Sequence, residues 1–286
     1  MKVYKTDEIK NVALVGGAKS GKTTLAEAML FEGKVIDRKG SVDDKNSVSD
    51  YRDIEIKKQN SVHSTIMYTE FDGKKINIID TPGFNDYVGE VVSALSVVET
   101  ALLVTNTHVG VDATTENAWR QAANSNTPVL FIANQLDHEK ANFDATVSQL
   151  KEFFGDKATR AQYPVNAGED FDCIIDLVLN KMLKFPKGGG ACEIVDIPDS
   201  ETDKASELSL KLMENAAAGS DELMEKYFEN DKLTLDEMRE GIRLGMRTRA
   251  IFPIFCTSAK TGVGVNRLMD FVNHSCPAPT GRPRTA

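Results

Sequence analysis

Apolar and polar positions change period several times along this chain. Residues 12–15 form an apolar run after Lys10 and Asn11, which predicts a buried strand over 10–15. A Gly-rich turn follows, and residues 22–31 have the composition of a helix. Residues 33–60 are polar and charged with no sustained period, so a mobile loop is expected there. Residues 62–71 and 75–80 flank Asp72-Gly73, a pair that closes hairpins because both residues tolerate positive φ. Val91, Ala94, Leu95 and Val98 recur at helical spacing. Residues 101–105 and 129–133 are short apolar runs expected for central strands, joined by a crossover helix over 114–123. Phe143, Val147, Leu150 and Phe154 share one helical face, and a last strand (251–256) and helix (265–272) follow later.

Strands alternating with helices imply an α/β fold, a mostly parallel central sheet with helices on both faces. The alternation breaks between about 157 and 250. Glycines 188–190 and the run Ile197-Pro198-Asp199-Ser200 lie inside that stretch. Leu208 with Leu212, and Leu235 with Met238 and Ile242, predict amphipathic helices. We read residues 157–250 as an inserted α+β subdomain in a main domain of residues 1–156 and 251–275. Residues 276–286 hold three prolines and two arginines and read as a linker or a severed end.

At 41% hydrophobic residues the chain can build a full core, yet no run is apolar enough to span a bilayer. Residues 1–8 lack the apolar centre of a signal peptide. Cys173, Cys192, Cys256 and Cys276 have no metal or redox spacing, which fits reduced thiols in the cytoplasm. A net charge of −9 argues against broad nucleic-acid binding, so neither DNA nor a membrane is an expected partner.

Four motifs carry chemistry. Gly16-Gly17-Ala18-Lys19-Ser20-Gly21-Lys22-Thr23, with Thr24 beside it, matches the P-loop pattern between a strand and a helix. Its glycines let backbone N–H groups face phosphates, and the helix N-terminus adds partial positive charge. Lys22 would reach the β- and γ-phosphates, and the Thr23 hydroxyl would ligate Mg²⁺. Asp80-Thr81-Pro82-Gly83 ends a strand, with Asp80 placed for Mg²⁺ and the Gly83 amide for the γ-phosphate. Asn134-Gln135-Leu136-Asp137 follows the 129–133 strand, where Asp137 can accept from two guanine donors and Asn134 can bond N7. Ser258-Ala259-Lys260 follows the last strand and offers a backbone amide to the guanine O6. In this order the motifs select guanine over adenine, so GTP or GDP with Mg²⁺ is the expected ligand.

The four segments together resemble the GTPase domain of translational GTPases, and more narrowly the elongation factor G family. Residues 96–101, 115–122 and 221–227 resemble helices of that family, the last in its inserted G′ subdomain. The likeness runs from residue 8 to about 277. It implies a P-loop GTPase fold, GTP hydrolysis, and a parent protein that meets ribosomal RNA and a ribosomal stalk protein in translocation. Four further domains would follow in that parent, and the fragment itself is expected to be a monomer. A non-enzymatic switch paralogue and a tetracycline ribosome-protection protein are the alternatives.

The chain departs from the family at the nucleotide. Gly17 and Lys19 stand where the family has His and Asp, and the Lys19 ammonium is expected to replace a monovalent cation. Lys58-Gln59-Asn60-Ser61-Val62 stands where the family's first switch has Arg-Gly-Ile-Thr-Ile, so Ser61 would supply the Mg²⁺ hydroxyl. Gln135 replaces a lysine, which predicts weaker binding with guanine selectivity kept. Phe84 replaces the histidine that positions the attacking water, which predicts poor turnover. Asn85 is an adjacent polar group, whereas His63 and His108 lie outside the phosphate motifs.

Overall fold

The computed structural model describes residues 2–281; residues 282–286 of the expected tail lie outside them. Strand β1 (Ile9–Val15) enters the Gly-rich turn and continues as α1 (Lys22–Glu32). The segment expected to be a mobile loop is instead tied down and contains α2 (Asp53–Lys58). Buried Glu55 accepts from the backbone N–H of Arg52 (3.3 Å), Val62 (3.1 Å) and His63 (3.0 Å). Single carboxylates anchoring backbone leave no hydrophobic period, which is why the pattern suggested a loop.

The hairpin forms between β2 (Thr65–Phe71) and β3 (Lys74–Asp80), turning at Asp72 and Gly73 with positive φ at both. Then follow α3 (Val88–Val97), β4 (Thr100–Asn106), α4 (Ala113–Asn124), β5 (Val129–Asn134) and α5 (Phe143–Phe154). Asp112 caps α4 by accepting from Thr115 N, and Asn142 caps α5 by accepting from Ala145 N.

The irregular stretch begins with β6 (Ala158–Arg160), which still joins the main sheet beside the later β11. Next come β7 (Gln162–Pro164), β8 (Cys173–Asp176), β9 (Lys181–Lys184) and β10 (Glu193–Val195), which form a separate antiparallel sheet. Helices α6 (Asp199–Ala217), α7 (Asp221–Asn230) and α8 (Leu235–Arg247) complete the stretch before β11 (Phe252–Cys256) and α9 (Val265–Ser275).

The main sheet has the order β2-β3-β1-β4-β5-β11-β6, with only β2 antiparallel to its neighbour. Every residue of β5 and β11 is buried, as expected for strands covered on both faces. The chain leaves β1 for β3 on one side and β4 on the other. That makes the carboxyl end of β1 a topological switch point, where open α/β sheets bind ligands. The second sheet is fastened to the first through Asp176 at the end of β8. Its carboxylate accepts from Arg267 of α9 (2.8 Å) and from Gln162 (2.7 Å), all three being buried.

Candidate functional site

The carboxyl ends of β1, β3, β5 and β11 bring the predicted motifs around one crevice. Its two lobes, each ≈ 480 Å³, share Gly21, Thr24 and Gln135. Each is of a size that holds a small organic ligand. One lobe meets Ala18, Lys22, Thr23, Ser61 and Gly83, and the other meets Asn134, Asp137, Ala259 and Lys260.

In the first lobe the Lys22 ammonium donates to the carbonyls of Gly16 (3.0 Å) and Gly17 (2.7 Å). Burial lowers its pKa to about 8, with Asp80 the main group opposing that shift. An added Cβ at Gly83 would stand 2.6 Å from Lys22 Nζ and 2.7 Å from Ala18 Cα, so only glycine lets this turn approach the loop. Gly21 has φ 91°, and an added Cβ would lie 2.4 Å from Asn134 Nδ2. Ser20 is buried in the turn, and Lys19 is exposed at φ 61°.

Asp80 is 0% exposed and sits among hydroxyls. Its Oδ2 accepts from Thr23 Oγ1 and from Ser49 Oγ, both at 2.7 Å, and Ser61 Oγ lies 3.3 Å from Thr23 Oγ1. Its Oδ1 is buried without a hydrogen bond. Burial raises the Asp80 pKa to about 6, against the hydrogen bonds from Ser49 and Thr23. Asp50 faces the same lobe; it is 5% exposed and neither carboxylate oxygen has a hydrogen-bond partner. Burial raises its pKa as well, and the Ser61 hydroxyl is the strongest group acting the other way. Orphaned carboxylate oxygens beside two hydroxyls and a phosphate loop are a donor set suited to a hard divalent cation such as Mg²⁺. The motif reading missed Asp50 and Ser49 because they lie in the segment taken for a loop. The run Ser49-Asp50-Tyr51 was the available signal.

In the second lobe Asn134 is a brace. Its amide donates to Ser20 O (2.9 Å), and its Oδ1 accepts from Ala259 N (3.0 Å) and Thr257 Oγ1 (3.1 Å). Of the 258–260 run, from which the sequence reading offers a backbone amide to the guanine O6, the Ala259 amide is engaged by Asn134. Gln135, at φ 63°, reaches the P-loop by donating to Lys19 O (2.9 Å). Asp137 is half-buried, with Oδ1 accepting from Ser258 Oγ (2.7 Å). A rigid carboxylate so placed can accept from two donors on one edge of a base.

Phe84 is 44% exposed and lines the phosphate lobe next to Gly83. Asn85 Oδ1 is occupied by Asn117 Nδ2 at 2.9 Å. His63 pairs with Glu90 at 3.6 Å. His108 stacks on His138 with ring centroids 3.9 Å apart, beside the base lobe that His138 lines.

Comparison with known proteins agrees with this arrangement. Residues 7–278 match the family described as the elongation factor Tu GTP binding domain. An elongation factor G-like protein of Thermotoga maritima is 32% identical over 275 residues, covering 96% of this chain and 39% of that protein. A crystal structure from Thermus thermophilus superposes with a TM-score of 0.89 at 26% identity, covering 96% of this chain and 41% of the other. The chain thus spans about two-fifths of the length of these relatives. With the motifs around one crevice and the match across both sheets, the chain belongs to the family of the elongation factor Tu GTP-binding domain, as the nucleotide-binding domain of a translational GTPase.

Proposed function

We propose that this chain is the guanine-nucleotide-binding domain of an elongation factor G-like translation factor that acts in ribosomal translocation, and that it hydrolyses GTP slowly. The observation that carries the second half is Phe84. It stands beside Gly83 on the phosphate lobe, where a water-positioning group is needed. A phenyl ring fills that space and cannot hydrogen-bond.

Gly16 through Thr24 hold the phosphates in this reading, with Lys22 paired to the β- and γ-oxygens. Asn134, Gln135, Asp137 and the 258–260 loop hold the base, and Asp137 supplies the selection for guanine. Mg²⁺, when bound, neutralises phosphate charge. Thr23, Ser61 and Asp80 would hold it, and Asp50 joins them on the strength of its orphaned oxygens. Residues 157–250 act as a G′-type insertion in a domain made of residues 1–156 and 251–275. Contact with ribosomal RNA and a stalk protein belongs to the full-length protein, in the cytoplasm. No helix among the described residues is long and apolar enough to cross a membrane.

Phe84 also favours a second reading, a GTP-binding switch whose signal is occupancy rather than turnover. Multiple-turnover GTP hydrolysis by the full-length protein with ribosomes separates the two. Wild type and Phe84→His are compared. Positioning by a side chain contributes typically about 10²–10⁴ in rate, so the histidine variant is expected to gain up to that factor. Wild-type turnover that histidine does not raise would defeat the proposal of a retuned catalytic step.

A further inference from the structure

Two stacked imidazoles stand at the base lobe. His138 lines it, and His108 stacks on His138 with ring planes 14° apart. Among the described residues that line this lobe, His138 alone carries a ring. Backbone bonds fix both histidines. His108 N donates to Asn106 Oδ1 (3.0 Å), and the neighbouring Thr107 Oγ1 donates to the carbonyls of Asn134 (3.0 Å) and Gln135 (3.2 Å). His138 N donates to Gln135 O (3.1 Å). Its Nδ1 accepts from Lys140 N (3.1 Å), so the neutral ring carries its proton on Nε2. The segment after β4 therefore braces the loop that carries Asp137.

We infer that His138 is a further contact for the purine ring, that His108 is the positioning residue that sets its plane, and that protonation of His138 makes guanine-nucleotide affinity fall in mild acid. The inference rests on the reading of the crevice as a guanine-nucleotide site.

Asp137 can engage only the edge of a base. The faces of a purine are flat and weakly polar, and a ring is the side chain that covers them. His138 follows Asp137 in the chain, and the stack on His108 limits its tilt.

Acid acts on the same ring. Histidine is the side chain whose charge changes between about pH 5 and 8. A proton added at His138 Nδ1 would meet the Lys140 N–H donor to donor, so that bond is lost and the loop loosens. A purine over the ring also strips water from an imidazolium. The liganded state thus favours the neutral ring, and acid favours the empty one. His108 stays the neutral platform. Its Nδ1 is buried without a hydrogen-bond partner, and burial, then the charges of His138 and Lys140, lower its pKa. Lys140, Glu139 and Asp137 flank the pair on its own loop, and Glu27, Lys39, Asp43 and Lys260 line the lobe. Carboxylates and ammoniums nearly balance there, so the lost bond at Nδ1, rather than a field of one sign, sets the direction.

The test is the Kd of N-methylanthraniloyl-GDP with saturating Mg²⁺, measured between about pH 8 and 5.5. Wild type, His138→Asn, His108→Ala and His108→Phe are compared. Asparagine keeps an acceptor for Lys140 N and has neither the ring nor the titration. The wild-type Kd should rise about five- to tenfold toward acid, the equivalent of one lost hydrogen bond. His138→Asn should bind about fivefold or more weakly at the alkaline end and show a smaller acid loss. Asp80 titrates in all four proteins, so the difference between them carries the result. His108→Ala should weaken binding at the alkaline end, and His108→Phe should restore it by returning a ring to the stack. A wild-type Kd that is flat across the range would overturn the inference, whichever variants fold. So would an equal acid loss in His138→Asn, wild-type affinity in that variant at the alkaline end, or failure of His108→Phe to recover what His108→Ala loses. Failure of the wild type to bind the GDP probe would remove the nucleotide reading and the histidine pair with it. Binding without a His138-dependent acid loss would remove the pair only.

Discussion

Thr23 Oγ1 donates to Asp80 Oδ2 at 2.7 Å, joining the first turn of α1 to the end of β3. The contact joins residues 57 positions apart that would together hold one cation in the proposed site. Asp80→Asn removes the charge and keeps the shape. A hydrogen bond to a charged group is worth about 1.5–3 kcal/mol, so Mg²⁺-dependent retention of GDP should fall about 10- to 100-fold. Release of fluorescent GDP as a function of Mg²⁺ concentration measures this directly.

Asp137 is expected to set base choice. Guanine offers donors to a carboxylate, whereas xanthine presents a carbonyl at one of those positions. Asp137→Asn should lower GDP affinity by about tenfold or more and raise that for xanthosine diphosphate. Competition against fluorescent GDP with both nucleotides reads the switch. Asp137 keeps its Ser258 contact in the wild type, so the Ser258→Ala variant should weaken binding without changing preference.

His108 predicts a dependence of stability on pH. Its pKa is lowered by burial and then by the charges of His138 and Lys140. An unfolded histidine titrates near about 6.5. As pH falls through that value the unfolded chain takes up the proton first, so the native state loses stability toward acid. Asp80 acts oppositely, because its raised pKa favours the native state as pH falls through about 6. Comparison with His108→Phe isolates the histidine and keeps the stacked ring. The loss of urea midpoint between about pH 7.5 and 5.5 should be smaller in the variant.

Gly241 lets α8 press on α6. An added Cβ would stand 2.4 Å from Ala216 O, a backbone atom that cannot rotate away. Overpacking costs about 1–3 kcal/mol, against a helix-propensity gain of about 1 kcal/mol. Gly241→Ala is therefore expected to destabilise, shown by a lower denaturation midpoint with an unchanged slope.

Arg267 and Asp176 are both buried and paired at 2.8 Å. Asp176 holds the Arg267 guanidinium more firmly charged than usual, against the cost of burial. Arg267→Met would leave Asp176 buried without its cation, a loss of about 3–5 kcal/mol. Chemical denaturation of the two proteins gives the difference.

Much of the main sheet was legible because its strands are short apolar runs separated by turn residues. The runs before Gly16 and before Asn134, and the hairpin at Asp72-Gly73, each lie on the expected strand or turn. The P-loop, Asp80 and Asn134 motifs were legible for another reason. Each depends on local backbone geometry and on residues close together in the chain. The segment 33–60 was not legible, because its order comes from Glu27, Glu55 and Asp80 reaching across to single amides and hydroxyls. The antiparallel arrangement of β7 to β10 was equally hidden, since strands of three or four residues carry too few positions to show a period.

The sequence by itself determined the family, the order of the elements outside residues 33–60 and 157–250, the choice of phosphate and guanine motifs, and the phenylalanine at position 84. These follow from residue type and spacing, which folding does not alter. Tertiary structure decided which side chains share the crevice. It turned Asn134 into a brace between two loops, brought Asp50 beside Thr23 and Ser61, and set Ser41 and Asp43 against both lobes. Those relations join residues far apart in the chain through one or two hydrogen bonds each. No local pattern encodes them, because only closure of the sheet sets the distances at which they form.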